Sequence, residues 1–133
     1  MRQWSRRPLV LLAEDDPDIR RLVATLLDRW GYETETASSG REALAAIAGL
    51  SPVLAILDVG MPPPDGIAVT QILKADPEHE DLPVILLTAH AGRRRAEEGL
   101  EAGASGYLTK PFRVHELRKA IWSILPAVPR PAA

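Results

Sequence analysis

Apolar residues along this chain follow two rhythms. Residues 9–13 read Leu-Val-Leu-Leu-Ala, residues 53–57 read Val-Leu-Ala-Ile-Leu and residues 84–87 read Val-Ile-Leu-Leu, each an unbroken run closed by polar or turn-forming residues. Short continuous runs of this kind suit strands buried on both faces, as in a parallel sheet covered by helices. The run at 53–57 is the sharpest. It stops at Asp58 and gives way to the turn-rich stretch Val59-Gly60-Met61-Pro62-Pro63-Pro64-Asp65-Gly66. Residues 33–37 mix β-branched and charged side chains, as an edge strand does when charge discourages pairing with another sheet. Residues 106–109 read as one further short strand.

Between the runs the spacing changes to three and four. Ile19, Leu22, Val23, Leu26, Leu27 and Trp30 predict one apolar helix face, started by Asp16-Pro17 and stopped by Gly31. Ser39 and Glu42 form a capping-box pattern ahead of Ala43, Leu44 and Ile47, and Gly49, Ser51 and Pro52 close that helix. A third helix covers residues 66–74, and a polar loop then runs from Asp76-Pro77 to Pro83. Residues 93–102 form a polar helix ended by Gly103. Residues 114–125 make the last helix, with Val114, Leu117, Ile121, Ile124 and Leu125 inward and Pro126, Pro129 and Pro131 preventing its continuation. Strand and helix thus alternate five times. Right-handed crossovers place helices on both faces of a parallel sheet, so the expected fold is α/β, a three-layer sandwich.

A length of 133 residues suits one domain with a real core, and 46% hydrophobic with 26% charged residues is an ordinary globular balance. The expectation is a single domain over 1–133, with a core at about 9–125, an N-terminal extension at 1–7 and a Pro-rich tail at 126–133. A net charge of -2 argues against a chain-wide grip on nucleic acid, so no direct nucleic-acid binding is expected. With no cysteine, disulfides, zinc thiolates and thiol catalysis are excluded, which fits a cytoplasmic protein. The basic start, Arg2 to Arg7, followed by residues 9–13 superficially resembles a leader. Its apolar stretch is too short and runs straight into Glu14-Asp15-Asp16, and nothing approaches a membrane span.

The chemistry lies where the runs end: at Glu14 and Asp15, at Asp58, at Thr88 and at Lys110. In an open parallel sheet these ends share the edge where ligands bind. Carboxylates gathered there repel and raise one another's pKa unless a cation sits between them. Oxygen ligands with room for water suit Mg²⁺, which also engages phosphate. Lys110 adds a positive charge and Thr88 a hydroxyl donor. Such a set is built to stabilise a phosphoryl group on Asp58, the carboxylate attacking in line.

These stretches resemble the receiver domain of bacterial two-component response regulators, the CheY-like superfamily, over about residues 9–125. The likeness rests on Val10-Leu11-Leu12-Ala13-Glu14-Asp15-Asp16, Ile56-Leu57-Asp58-Val59-Gly60-Met61-Pro62, Asp65-Gly66, Leu86-Leu87-Thr88-Ala89, and Gly103-Ala104 through Tyr107-Leu108-Thr109-Lys110-Pro111-Phe112. Their order and spacing together are highly specific. The resemblance implies a flavodoxin-like, five-stranded parallel sheet in order 2-1-3-4-5 with five helices. It implies Asp58 as phosphoacceptor, served by Thr88 and Lys110, with Mg²⁺ on Asp15, Asp58 and the Gly60 carbonyl, and Glu14 acting through water. It also implies a switch in which Thr88 meets the phosphoryl group and Tyr107 turns into the vacated space, and a cis Lys110-Pro111 bond. The implied partners are a sensor histidine kinase or phosphotransfer protein and a downstream protein on the face of helix 4, strand 5 and helix 5; homodimerisation through that face stays open. Gly60 and His90 stand at positions flanking the phosphoryl group, where they leave its lifetime undetermined, and Pro62-Pro63-Pro64 is stiffer than the usual loop.

Other readings compete. Asp16 and Asp18 are better explained as helix N-terminal charges than as ligands. Taken alone, Asp58 reads as a turn residue and Lys110 as a solvated lysine; their company changes that. His79, His90 and His115 lack ligand spacing. Arg93-Arg94-Arg95 reads as a solvated helix start, and Trp122 as core packing with a partner contact as its alternative. Against a signalling module that is not an enzyme stand a pseudo-receiver working without phosphorylation and a Mg²⁺-dependent phosphohydrolase. The full acidic, hydroxyl and lysine set disfavours the first. The second is disfavoured by Gly60, because hydrolases of the haloacid dehalogenase type carry a second Asp there. A flavin or nucleotide site is disfavoured because Glu14-Asp15-Asp16-Pro17 would repel phosphate.

Overall fold

In a computed structural model, which describes residues 7–89 and 93–125, strands and helices alternate along the whole described chain. The order is β1 (Leu9–Ala13), α1 (Pro17–Arg29), β2 (Glu33–Ala37), α2 (Gly40–Gly49), β3 (Leu54–Asp58), α3 (Gly66–Lys74), β4 (Val84–Thr88), α4 (Arg93–Ala102), β5 (Gly106–Thr109) and α5 (Val114–Ile124). The strands form one parallel sheet in the expected order, β2-β1-β3-β4-β5. The basic start at 1–6, His90 and the Pro-rich tail lie outside the described residues.

Because neighbouring side chains of a strand point to opposite faces, each buried run feeds two cores. Leu11, Ala13, Ala55, Leu57, Val84 and Leu86 pack with Ile47 of α2 and Val69 and Leu73 of α3. Val10, Leu12, Leu54, Ile56, Ile85 and Leu87 pack with Val23 and Leu27 of α1 and Leu117 and Ile121 of α5. All residues of β3 and β4 are buried, which explains why their sequences show no alternation. β2 lies at the edge with Glu35 and Thr36 exposed, as its mixed composition predicts.

Local signals place the helix ends. Asp16 caps α1 by accepting from the N–H groups of Asp18 and Ile19, with Pro17 in the first turn. Gly31 and Gly103 adopt positive φ, 96° and 113°, where a glycine turns the chain without a Cβ clash. The capping box at Ser39 is realised by half. Ser39 Oγ accepts the Glu42 N–H at 3.1 Å, but the Glu42 carboxylate receives the N–H and hydroxyl of Ser38. Those donors hold the Glu42 carboxyl below its usual value.

Four expectations drawn from periodicity are corrected. β3 begins at Leu54, one residue later than the apolar run, and Val53 is exposed. Leu22 of α1 and Val114 of α5 are also exposed rather than inward, since each lies at the rim of its helix's apolar stripe and the sheet contacts only the centre. Trp122 is not core: it is 45% exposed, and the Arg118 guanidinium lies 4.2 Å from its ring centroid and 5.7 Å from that of Trp30. Arg118 thereby ties α5 to the end of α1 through cation–π contact.

Arg118→Ala is expected to lower unfolding free energy by about 1–2 kcal/mol, read by urea denaturation, because both ring contacts and the packed stem are lost. Glu42, whose carboxyl is more acidic in the folded chain than in the unfolded one, contributes stability above its unfolded value that fades as pH falls through its folded value. Glu42→Gln is accordingly expected to flatten the decline of Tm on acidification below pH 4.5.

Candidate functional site

The sheet gathers the terminating residues at its carboxyl edge. β1 and β3 are neighbours in register Ala13↔Leu57, so one further step sets Glu14 beside Asp58 on the same face. β3 pairs with β4 in register Asp58↔Leu87, and Thr88 follows one residue later. The Lys110 N–H donates to the Thr88 carbonyl at 2.7 Å and continues β5 toward the same edge. Residues far apart in sequence thus meet because four parallel strands, β1, β3, β4 and β5, end at one line.

The geometry is dense in charge. Carboxylate oxygens of Glu14, Asp15 and Asp58 lie within 4.8 Å of one another. The Lys110 ammonium approaches Glu14 Oε1 at 2.8 Å as an ion pair without hydrogen-bond alignment, and donates to Asp58 Oδ1 at 3.2 Å. Asp58 Oδ1 also accepts the Gly60 N–H at 2.9 Å, and Glu14 Oε2 accepts the Asp16 N–H at 3.1 Å. Glu14 and Asp58 are buried, whereas Asp15 is exposed. Together with Asp16, Pro17, Asp18, Gly60, Ala89 and Lys110 they line an open cavity of about 540 Å³.

Electrostatics separate the acids rather than raising all of them, which refines the expectation of mutual repulsion. Burial, reinforced by Asp58, pushes the Glu14 carboxyl up to about 7 against the pull of Lys110 and the Asp16 N–H. Burial also works against Asp58, but the neighbouring Glu14 side chain, the Gly60 N–H and the Lys110 charge outweigh it and hold its carboxyl below the ordinary value. Lys110 is disfavoured as a cation by burial, yet Glu14 and Asp58 outweigh this and raise its pKa. Without a further cation, the proton therefore resides on Glu14 while Asp58 stays ionised.

Thr88 is fully buried, and its Oγ1 has no hydrogen-bond partner. Thr88 and Tyr107 share one face of the sheet, since Tyr107 pairs in register with Leu86, and Tyr107 is 42% exposed. The Lys110-Pro111 bond is cis, as expected, and so is Pro63-Pro64. Asp16 serves as the α1 cap, as read from sequence, while Asp18 also reaches the cavity rim.

Two contacts escaped the sequence. Arg95 is not simply solvated: it pairs with Asp65, the cap of α3, and with Glu98 at 2.7 Å. Arg20 reaches the carbonyls of Glu14 and Asp15, a backbone contact that leaves no signature in residue spacing. His79, set aside on spacing, does gather with Asp76 and Glu78. There its Nδ1 lies 2.8 Å from Asp76 Oδ2 while Asp76 Oδ1 accepts the Glu78 N–H, interactions that close the turn after α3.

Comparison with known proteins agrees with this geometry. The family model of the response regulator receiver domain matches residues 10–122. The DNA-binding dual master transcriptional regulator RpaA of Synechocystis sp. is 37% identical over 118 residues, covering 89% of this chain and 49% of that protein. The phosphate regulon transcriptional regulatory protein PhoB of Pseudomonas aeruginosa is 36% identical, over 87% of this chain and 51% of its own length. The chain thus spans about half the length of these curated relatives. Among solved structures, the chemotaxis response regulator CheY4 of Vibrio cholerae superposes with a TM-score of 0.84 at 34% identity, covering 90% of this chain and 99% of that one. The signal receiver domain of a signal transduction histidine kinase from Syntrophus aciditrophicus gives 0.83 at 35% identity, over 95% and 96% of the two chains. Receiver domains of this kind are generally signalling domains rather than enzymes, and among the described residues no helix is long and apolar enough to cross a membrane. From its sheet order, its acidic edge and these matches alike, the chain belongs to the response regulator receiver domain family of two-component signalling.

Proposed function

We propose that Asp58 is the phosphoacceptor of this receiver domain, taking a phosphoryl group from the phosphohistidine of a sensor kinase or phosphotransfer protein. The observation that carries this reading is the company of Asp58: a buried carboxylate kept ionised, with Lys110 Nζ 3.2 Å away and two further carboxylates within reach. Asp58 Oδ1 is engaged by the Gly60 N–H and Lys110, so Oδ2 attacks phosphorus. The P–N bond to the imidazole breaks, the imidazole leaves with its electron pair, and an acyl phosphate remains on Asp58.

The donor set fits Mg²⁺. It is all oxygen, it opens to solvent at Asp15, and Glu14 Oε1 is a buried acceptor left without an aligned donor. Asp15, Asp58 and the Gly60 carbonyl would hold the ion, with Glu14 acting through water. Bound there, Mg²⁺ supplies positive charge to the phosphoryl oxygens. Lys110 adds its own charge from the Asp58 side. Thr88 offers the hydroxyl that meets the arriving phosphoryl oxygen, since Oγ1 has no competing partner to abandon.

Movement of Thr88 toward the phosphoryl group frees space on the sheet face it shares with Tyr107. Phosphorylation then biases the face of α4, β5 and α5, where Leu100 and Tyr107 are exposed, toward a downstream protein or a second copy of the chain. Residues 1–133 act as a single receiver domain with its core at about 9–125. The place of action is the cytoplasm. This unit itself makes no nucleic-acid contact, in keeping with a net charge of -2.

Incubation with Mg²⁺ and acetyl phosphate, followed by intact mass, is expected to show a single added phosphoryl group in the wild type and none in Asp58→Asn. Absence of any adduct, even with the cognate kinase, would favour a phosphorylation-independent binding module, and turnover of many phosphate esters a hydrolase. Thr88→Val is expected to fold with a Tm equal to or above that of the wild type, because an unsatisfied buried hydroxyl is replaced by an isosteric apolar group. The same variant should take up phosphoryl groups more slowly.

A further inference from the structure

We propose that Arg20 is a positioning residue of the acidic pocket, fixing the β1–α1 turn so that Glu14 and Asp15 are presented as metal ligands. The inference rests on the Mg²⁺ reading above and deepens it. Arg20 lies in α1 and folds back so that its Nη1 donates to the Glu14 carbonyl at 2.7 Å and points to the Asp15 carbonyl at 3.5 Å. These carbonyls belong to the two residues whose carboxylates converge with Asp58. The turn they occupy leaves β1 through the hydrogen bond from the Glu14 N–H to the Ala37 carbonyl and enters α1 at the Asp16 cap. Between those fixed points, the Glu14 and Asp15 peptide groups are held by the guanidinium.

The choice of acceptor is what makes the contact useful. A cation that paired with the Glu14 or Asp15 carboxylate would compete with a metal ion for the same oxygens. Arg20 instead spends its donors on backbone carbonyls, leaving the carboxylate oxygens directed at the cavity. It adds positive charge behind the pocket without entering the cluster. The Nη1 group carries two N–H donors, one for each of the two neighbouring carbonyls. Arg20 also acts on Glu42 through charge, but Glu42 is already engaged by Ser38, so that attraction is incidental.

The test compares wild type, Arg20→Ala, Arg20→Lys and Glu42→Gln by the Mg²⁺ dependence of Tm and, without metal, by amide exchange of residues 14–18. Arg20→Ala is expected to raise the half-saturating Mg²⁺ concentration by about tenfold, as loss of a ligand-orienting contact does. It should also speed amide exchange at Asp16 while leaving exchange in β3 unchanged. Lysine should restore part of the metal affinity, and Glu42→Gln none of the defect. An unchanged Mg²⁺ midpoint together with unchanged Asp16 exchange in Arg20→Ala overturns the proposal, as does an equal defect in Glu42→Gln. If the wild type itself does not respond to Mg²⁺, the metal reading fails, while the metal-free exchange still decides whether Arg20 holds the turn. Should Arg20→Ala lose cooperative unfolding, Arg20→Met, which keeps the apolar stem, carries the same comparison.

Discussion

Carboxylates of Glu14, Asp15 and Asp58 crowd within 4.8 Å at the carboxyl edge of the sheet, and among the described residues Lys110 is the cation that enters their midst. Two of these acids are buried, so water relieves less of the repulsion than it would at an open surface. The cluster responds by dividing its charge: Glu14 holds a proton to about 7, while Asp58 remains ionised. Such a site favours an added cation, which relieves a cost that the folded chain already bears.

The fold is what sustains that tension. β3 and β4 are buried throughout and flanked by cores on both faces, so the strands that deliver Asp58 and Thr88 cannot yield to the repulsion at their ends. The β1–α1 turn is pinned by the Asp16 cap on one side and by Arg20 on the other. Thr88 contributes differently. Its buried hydroxyl is left unpaired, an unfavourable state that a phosphoryl oxygen would correct. Repulsion among the carboxylates therefore favours an added cation, whereas the missing partner at Thr88 favours an added hydrogen-bond acceptor.

Beyond the pocket, the surface elements are held by more adjustable contacts. Arg95 joins α4 to the cap of α3 through a partly exposed ion pair, and Tyr107 of the edge strand β5 is half exposed. At the opposite end of the α1 and α5 face, Arg118 bridges Trp30 and Trp122 and fixes those two helices together. The α1 and α5 side is thus braced by stacking, and the α4 side by a solvent-screened charge pair, the weaker of the two.

Much of this was legible in the chain itself. Unbroken runs such as residues 53–57 announced strands buried on both faces, because only burial on two sides removes the alternation that a one-sided strand requires. Their acidic, hydroxyl and lysine endings named the site, since parallel crossovers bring all strand ends to one edge. Periodicity could not say how far each helix stripe sinks into the core. Leu22, Val114 and Trp122 lie at stripe margins, and only the packed neighbours decided that they stay exposed. Likewise, residue types foretold repulsion among the carboxylates but not its outcome. That depended on unequal burial and on which oxygen meets Lys110 or the Gly60 N–H, distances that exist only once β1, β3 and β5 are folded side by side. Arg20 marks the limit most clearly, because its partners are backbone carbonyls, which every sequence possesses and only a tertiary structure can aim.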